Sequence, residues 1–231
     1  MVSTPVGATG KPAGPGTLAP LPARQTLTED VYQAIKRLIM DHVIPPQGRL
    51  SIDQLARDLR VSSTPIRETL VRLESEGLAR KEPLRGYSVT PILTLAEIDD
   101  LFEFRTLIEP WAAARAARHR DDAGVVRLRA EIDSVGELPD GDSYADYQDL
   151  AGHDDRFHRL IAELAGNQHL LNAFARTHCH LHLFRRRYST PLGSATVAEH
   201  RDIAAAVVAG DPDAAYAAMG AHLERARQRL S

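Results

Sequence analysis

Residues 51–70, Ser51-Ile52-Asp53-Gln54-Leu55-Ala56-Arg57-Asp58-Leu59-Arg60-Val61-Ser62-Ser63-Thr64-Pro65-Ile66-Arg67-Glu68-Thr69-Leu70, read as two short helices joined by a polar turn. Ser51 is placed to cap the first helix, and Gln54 three residues on completes a capping box. Ile52, Leu55, Ala56 and Leu59 then recur at helical spacing. Thr64 caps the second helix, with Pro65 at its first position, where a missing N–H costs nothing. Ile66, Leu70 and Leu73 turn inward. Ser62, Ser63, Thr64 and Arg67 gather at the exposed N-terminus, where free backbone N–H groups and the helix dipole favour phosphate. This is a helix-turn-helix pattern. The spacing alone also fits a surface hairpin of an ordinary α-helical domain, so the flanks decide.

On the C-terminal side, residues 78–82 and 87–90 read as two short strands around Pro83-Leu84-Arg85-Gly86. A hairpin directly after such a helix is a wing. Arg80, Lys81 and Arg85 lie along it, and Gly86 lets the tip backbone approach a sugar-phosphate chain closely. On the N-terminal side, Thr26 and Glu29 form a capping box ahead of Val31, Ile35, Leu38 and Ile39, a first packing helix. The segment 26–91 is therefore expected to be a winged helix-turn-helix. Its order of motifs resembles the N-terminal domain of GntR-family transcription regulators. The residues that carry the likeness are Pro46-Gln47-Gly48-Arg49-Leu50, Leu55-Ala56, Val61 to Glu68, Leu73-Glu74 with Gly77-Leu78, and Arg85-Gly86 with Val89. The resemblance implies that Ser62, Thr64, Arg67 and Gly86 touch DNA. Ser63 stands where the family commonly has arginine, so the operator sequence does not carry over from relatives.

The chain has 231 residues, room for two modest domains. Its one cysteine, Cys179, excludes an internal disulfide and suits a reducing cytoplasm. No apolar run approaches a membrane span, and the start has no signal-peptide core. Residues 1–25 are rich in Pro, Gly, Ala and Thr and carry Lys11 and Arg24 without an acid, the composition of a disordered tail. The net charge of −3 is unevenly spread: residues 21–91 hold 11 Lys/Arg against 9 Asp/Glu, and the rear of the chain is acidic. So small an excess means that DNA affinity has to come from placed arginines and from pairing of two chains, not from bulk charge.

From Thr94, capped with Glu97, the pattern is helical throughout, broken at glycines and Pro191. Residues 94–231 read as an all-α bundle of six or seven helices, six favoured, giving a mainly α protein. Polar residues fall on its apolar faces. Arg105 lies within the stripe of Ile98, Leu101, Phe102, Ile108 and Ala112. Asp154 and His158 lie one turn apart, about 6 Å, within Leu150, Phe157, Ile161 and Leu164. His200, on a helix capped by Thr196 with Glu199, shares a face with Ile203 and Val207. His222 shares one with Ala215, Ala218 and Met219, on a helix starting at Asp211-Pro212.

Singly, each is the profile of a satisfied core residue. Burying all of them unpaired would cost roughly 2–7 kcal/mol apiece, against a domain stability of about 5–15 kcal/mol. A divalent cation satisfies three imidazoles and a carboxylate together; zinc is the first expectation, nickel or manganese the alternatives. Arg105, too basic to ligate, suits an anion beside it. A rival ligand pair is His178 with His182, followed by Arg185-Arg186-Arg187; His178 and Arg185 are expected to line the same effector pocket.

Arg105 with Glu109, Asp154 with His158, Gly166-Asn167, Glu199-His200, Gly210-Asp211 and His222 together resemble the FCD domain of FadR-type GntR regulators. That resemblance implies a metal held by Asp154, His158, His200 and His222, with a small carboxylate effector completing the site and meeting Arg105. The function expected is a ligand-responsive regulator of transcription, a repressor before an activator. It would work as a homodimer on pseudo-palindromic operator DNA, in the cytoplasm, and would not be an enzyme. Two other readings use the same pocket: a metal-dependent hydrolase or lyase, and a plain metal sensor.

Overall fold

The computed structural model describes residues 25–136, 143–186 and 190–230. Lys11 and Arg24 of the expected tail, the Gly136–Gly141 turn beyond Gly136, and Arg187 lie outside them. The front of the chain runs α1 (Gln25–Met40), β1 (Arg49–Leu50), α2 (Ile52–Asp58), α3 (Ser63–Ser75), β2 (Ala79–Glu82) and β3 (Gly86–Val89). Helix α1 packs on α3, α2 closes against α3, and the sheet order is β1-β3-β2, all antiparallel. Val31, Ile35, Ile39, Leu55, Ile66, Leu70, Leu73, Leu78 and Val89 form one buried cluster. This is a winged helix-turn-helix, with β2 and β3 as the wing.

Local starts differ from the sequence reading in instructive ways. Ser51 does cap α2, accepting from the Gln54 N–H, but the Gln54 side chain goes to Asp58 and leaves the box half made. The N-cap of α3 is Ser62, so Thr64 is its second residue and Pro65 its third. Proline is tolerated there because no N–H of a first turn has an intrahelical partner. Helix α1 starts at Gln25, ahead of the expected cap at Thr26, and Glu29 accepts from Gln33 and from Arg72 of α3, a bond between helices. The strand β1 was not expected: Arg49 pairs with Ser88 and Leu50 with Tyr87, because β3 had an open edge that two extended residues suffice to cover. At the wing tip Leu84, with φ of 63°, is fully exposed.

The rear runs α4 (Leu95–His119), α5 (Asp122–Asp133), α6 (Tyr144–Leu164), α7 (Gln168–Ala175), α8 (Cys179–Arg186), α9 (Thr190–Ala209) and α10 (Pro212–Leu230). Among the described residues these are seven helices, not six. The additional break falls at His178, whose φ of 44° no α-helix accepts, so α7 and α8 are separate. The Thr94–Glu97 capping box is present in full. Thr196 lies inside α9, which starts at Thr190, and the Glu199 carboxylate is drawn across to α10. Helices α4, α6, α9 and α10 pack together, with Ala112, Ala113, Ala116, Ala117, Ala204 and Ala215 allowing close approach. The stripe of α4 that faces inward is Ile98, Phe102, Arg105, Glu109, Ala112 and Ala116; Ile108 is only half-buried. No helix of the described residues is long and apolar enough to cross a membrane.

Leu70 is fully buried between α1 and α3. Its replacement by alanine is expected to cost the winged unit about 2–5 kcal/mol, read as a lowered urea midpoint.

Candidate functional site

The front unit presents one exposed polar end. Ser62, Thr64 and Arg67 are exposed at the start of α3 and Ser63 is half-buried. The Ser62 hydroxyl is not consumed by capping. Arg85 and Gly86 are exposed at the wing, and Gly86, φ 87°, has nothing within 4 Å of where a Cβ would stand. Arg80, by contrast, is engaged by Glu82 and Ser88.

In the rear unit, α6, α9 and α10 bring Asp154, His158, His200 and His222 together in the interior, all buried. The Nε2 atoms of His158 and His222 are 3.2 Å apart. Asp154 Oδ1 is 3.4 Å from His200 Nε2 and 3.9 Å from His158 Nε2. The three imidazoles offer one nitrogen each within 4.8 Å of one another, and Asp154, His158 and His180 form a second, overlapping trio.

Each ring's other nitrogen is already committed. His158 Nδ1 donates to Glu109 of α4, and His222 Nδ1 donates to Glu199 of α9 at 2.7 Å. His200 Nδ1 meets His153 Nε2 at 3.0 Å, and His153 Nδ1 meets Glu131 of α5 at 2.8 Å. The tautomers follow from this network. Glu131 takes the proton of His153 Nδ1, which makes His153 Nε2 an acceptor and His200 Nδ1 a donor. All three Nε2 atoms therefore turn bare lone pairs toward one another and toward the Asp154 carboxylate. His200 Nε2 has no hydrogen-bond partner at all. Facing lone pairs at 3.2 Å repel unless something positive lies between them. Four donors around a cation at about 2.0–2.1 Å would stand roughly 3.3 Å apart, close to the two shorter separations. The residues fit a divalent cation, and imidazoles held from behind by carboxylates are how proteins orient such ligands.

The electrostatics agree with neutral imidazoles at His158 and His200. Burial pulls His158 down to about 4 despite the Glu109 carboxylate beside it. Burial, then His222 and His158, hold His200 well below its ordinary value. Burial pushes the Asp154 carboxyl up, but the His180 imidazole that donates to it outweighs that and keeps it ionised. Glu109 is held low in the same way by Arg105 and His158.

Arg105 is buried, paired with Glu109, and lines a cavity of about 80 Å³ that reaches Asp154 and His222. The remaining walls include Phe102, Tyr147, Leu150, Leu183 and Phe184, mostly apolar. The structure places the other two expected effector residues elsewhere. His178 lies in the cleft between the front and rear units. The Arg185 guanidinium donates to the Thr90 and Pro91 carbonyls and to Thr90 Oγ1, at the connection between the units. The rival pair His178 and His182 also parts: His178 precedes α8, and His182 sits against Gly77.

Sequence reasoning missed His153, Glu131 and His180, and gave Glu109 and Glu199 no role behind the ligands. His153 could have been found, since it shares the α6 face of Leu150 and Phe157. Glu109 is one turn beyond Arg105 on the buried stripe. Glu131 and His180 come from helices whose packing no local pattern announces.

The family described as "Bacterial regulatory proteins, gntR family" matches residues 27–89, and the FCD domain matches residues 100–225. A transcriptional regulator in an unstable DNA locus of Streptomyces ambofaciens is 29% identical over 201 residues, 86% of this chain and 83% of that protein. The transcriptional repressor RspR of Escherichia coli is 27% identical over 206 residues, 87% of each. Among solved structures, E. coli McbR/YncC superposes with a TM-score of 0.65 at 19% identity, covering 89% of this chain and 97% of that one, a likeness of fold.

His158 and His200 stay neutral in the folded chain below pH 6.5, where unfolded histidines take up protons. Stability of chelator-treated protein is therefore present above pH 6.5 and lost as pH falls toward about 4. Calorimetry is expected to show the melting temperature dropping through that window; a flat profile would mean the imidazoles are not neutral.

Proposed function

Because the chain belongs to the gntR family of bacterial regulatory proteins and carries an FCD domain in its rear half, we propose that this transcription regulator is switched by a small carboxylate with an apolar body, received at a metal-bearing pocket. The observation behind this reading is the convergence of three imidazole lone pairs and the Asp154 carboxylate beside an apolar cavity that holds Arg105. Asp154, His158, His200 and His222 would hold the cation, with zinc the best match to three nitrogens and one oxygen. When bound, it supplies a positive centre that a carboxylate can join as a further ligand. Arg105 supplies a second positive group, and Glu109 fixes its direction through their ion pair. Phe102, Leu150 and Leu183 take the apolar remainder and shed water from it.

On the DNA side, the start of α3 would enter a major groove, with Arg67 reading base or phosphate and Ser62, Ser63 and Thr64 bonding phosphate. Arg85 and Gly86 would follow the backbone at the wing. The front unit carries little excess positive charge. Two heads in a homodimer, on two half-sites of a pseudo-palindrome in the cytoplasm, would supply the missing affinity. RspR is named a repressor, and repression relieved by the acid is the corresponding outcome here.

Replacing Arg67 by alanine should weaken binding to a selected operator fragment by about 1–3 kcal/mol with an unchanged melting temperature; unaltered affinity would remove α3 from the interface. For the pocket, short-chain and aryl monocarboxylates should raise the melting temperature of zinc-loaded protein. The rise should vanish with chelator and in His200→Ala. Chelation alone shifting operator affinity as much as any acid would make the cation itself the signal.

A further inference from the structure

Helix α8 is eight residues long, too short to hold a position by its own hydrogen bonds. Its place is set by what it touches, and it touches both units. His180, buried, donates from Nδ1 to Asp154 Oδ2, while Asp154 Oδ1 faces the imidazole cluster. The very next residue, Leu181, packs with Phe184 on the winged unit's core. The His182 ring stands 3.0 Å from the position a Cβ would take on Gly77, the positive-φ residue just past the end of α3. The Arg185 guanidinium holds the Thr90 and Pro91 carbonyls, Arg185 O meets His42 of the winged unit, and Arg186 donates to Leu93 O. At the start of α8, His178 is held at φ 44°, a strained conformation for a side-chain-bearing residue and a natural pivot.

We propose that His180 is the positioning residue that couples the Asp154–histidine cluster to the DNA-reading unit. The inference rests on the pocket reading above and adds the route by which the pocket is felt at α3. Asp154 has two oxygens with two duties, one toward the cluster and one toward His180. A change in how Oδ1 is shared alters where Oδ2 lies, and His180 follows. The other side chains of α8 then shift against Gly77 and the Thr90–Leu93 connection. Helix α6 also reaches the front unit, through Tyr144 and Ala151, but its 21 residues make it a fixed strut. Among these helices, α8 is the short piece with a pivot. Among the described residues His180 Nε2 is buried without a hydrogen-bond partner, so Asp154 and the adjacent Cys179 are what hold the ring.

Coupling is reciprocal, so saturating the protein with DNA must change its zinc affinity by the same factor that zinc changes its DNA affinity. The experiment titrates zinc into the full chain, with and without an operator fragment obtained by selection on the zinc-loaded protein. In the natural chain the zinc Kd is expected to differ between the two conditions by about fivefold or more. His180→Leu should still bind zinc but bring the two Kd values within about twofold, whereas His180→Asn, whose amide can stand in for Nδ1–H, should restore the difference. Arg185→Gln, at the far end of α8, should keep the DNA-free zinc Kd and lose the difference. It decides the matter alone if His180→Leu does not fold. A natural-chain difference that survives in His180→Leu or in Arg185→Gln, or that His180→Asn fails to restore, overturns the role of His180 and α8 and leaves the pocket reading intact. No difference in the natural chain overturns the coupling through His180 and α8, while the pocket reading stands or falls on the acid-induced rise in melting temperature.

Discussion

The interior of the rear unit is organised by a constraint on protons. Glu109, Glu199 and the Glu131–His153 relay each claim the Nδ1 proton of one inward imidazole. Once those protons are claimed, His158, His200 and His222 have no choice but to present Nε2 lone pairs to a common point. Remove the outer carboxylates and the rings could adopt mixed tautomers and bond to one another, as ordinary core histidines do. The outer layer converts three histidines into a donor set, and five helices, α4, α5, α6, α9 and α10, must be in register for it to do so. Helix α4 brings Glu109, α5 brings Glu131, α9 brings Glu199 and α10 is pulled onto α9 through His222, Arg225 and Arg229. The same contacts that aim the ligands therefore align the bundle.

Glu199 shows how far this reaches into local structure. As a capping partner of Thr196 it would have started a helix at Val197, well after Thr190. Its carboxylate instead accepts from His222 and two arginines of α10, and α9 starts at Thr190. In α4, too, the buried stripe is won by Glu109 over Ile108. A charged residue displaces an apolar one from the interior because Arg105 and His158 satisfy it there.

The winged unit was legible from local chemistry: caps, turn residues and alternating strands carry their own explanations within a few residues of each other. What escaped was decided at long range, such as β1, whose two residues are a strand only because β3 offers an edge. In the rear unit Arg105, Asp154, His158, His200 and His222 could be read as inward-facing because helical periodicity marks the face each occupies. His178 and Arg185 were expected in the effector pocket because they border the Phe174–Leu181–Phe184 stripe. That stripe does not face the cavity alone: Leu181 packs on the winged unit, and Phe184 borders both. Periodicity says that a residue is inside; it does not say inside which of two units. His180 carried the same ambiguity, lying between two candidate histidines and selected only by the packing of α8 on α6.

A cluster of this kind is a poor choice for stability alone. Ionised Asp154 and Glu109, the Arg105 guanidinium and four imidazoles have all been taken out of water, and well-packed aliphatic side chains of similar volume often do as well or better. An aliphatic core has one good packing and no reason to leave it. Here, without a positive centre, the facing Nε2 atoms at 3.2 Å work against the packing that the outer carboxylates enforce. A cation at the proposed site would meet the two demands together. Under the proposed function, a bundle built on that conflict would pack according to its contents, which is what a sensor requires and a scaffold does not. The conflict is also local: it bears on Asp154, and Asp154 is the residue from which α8 hangs.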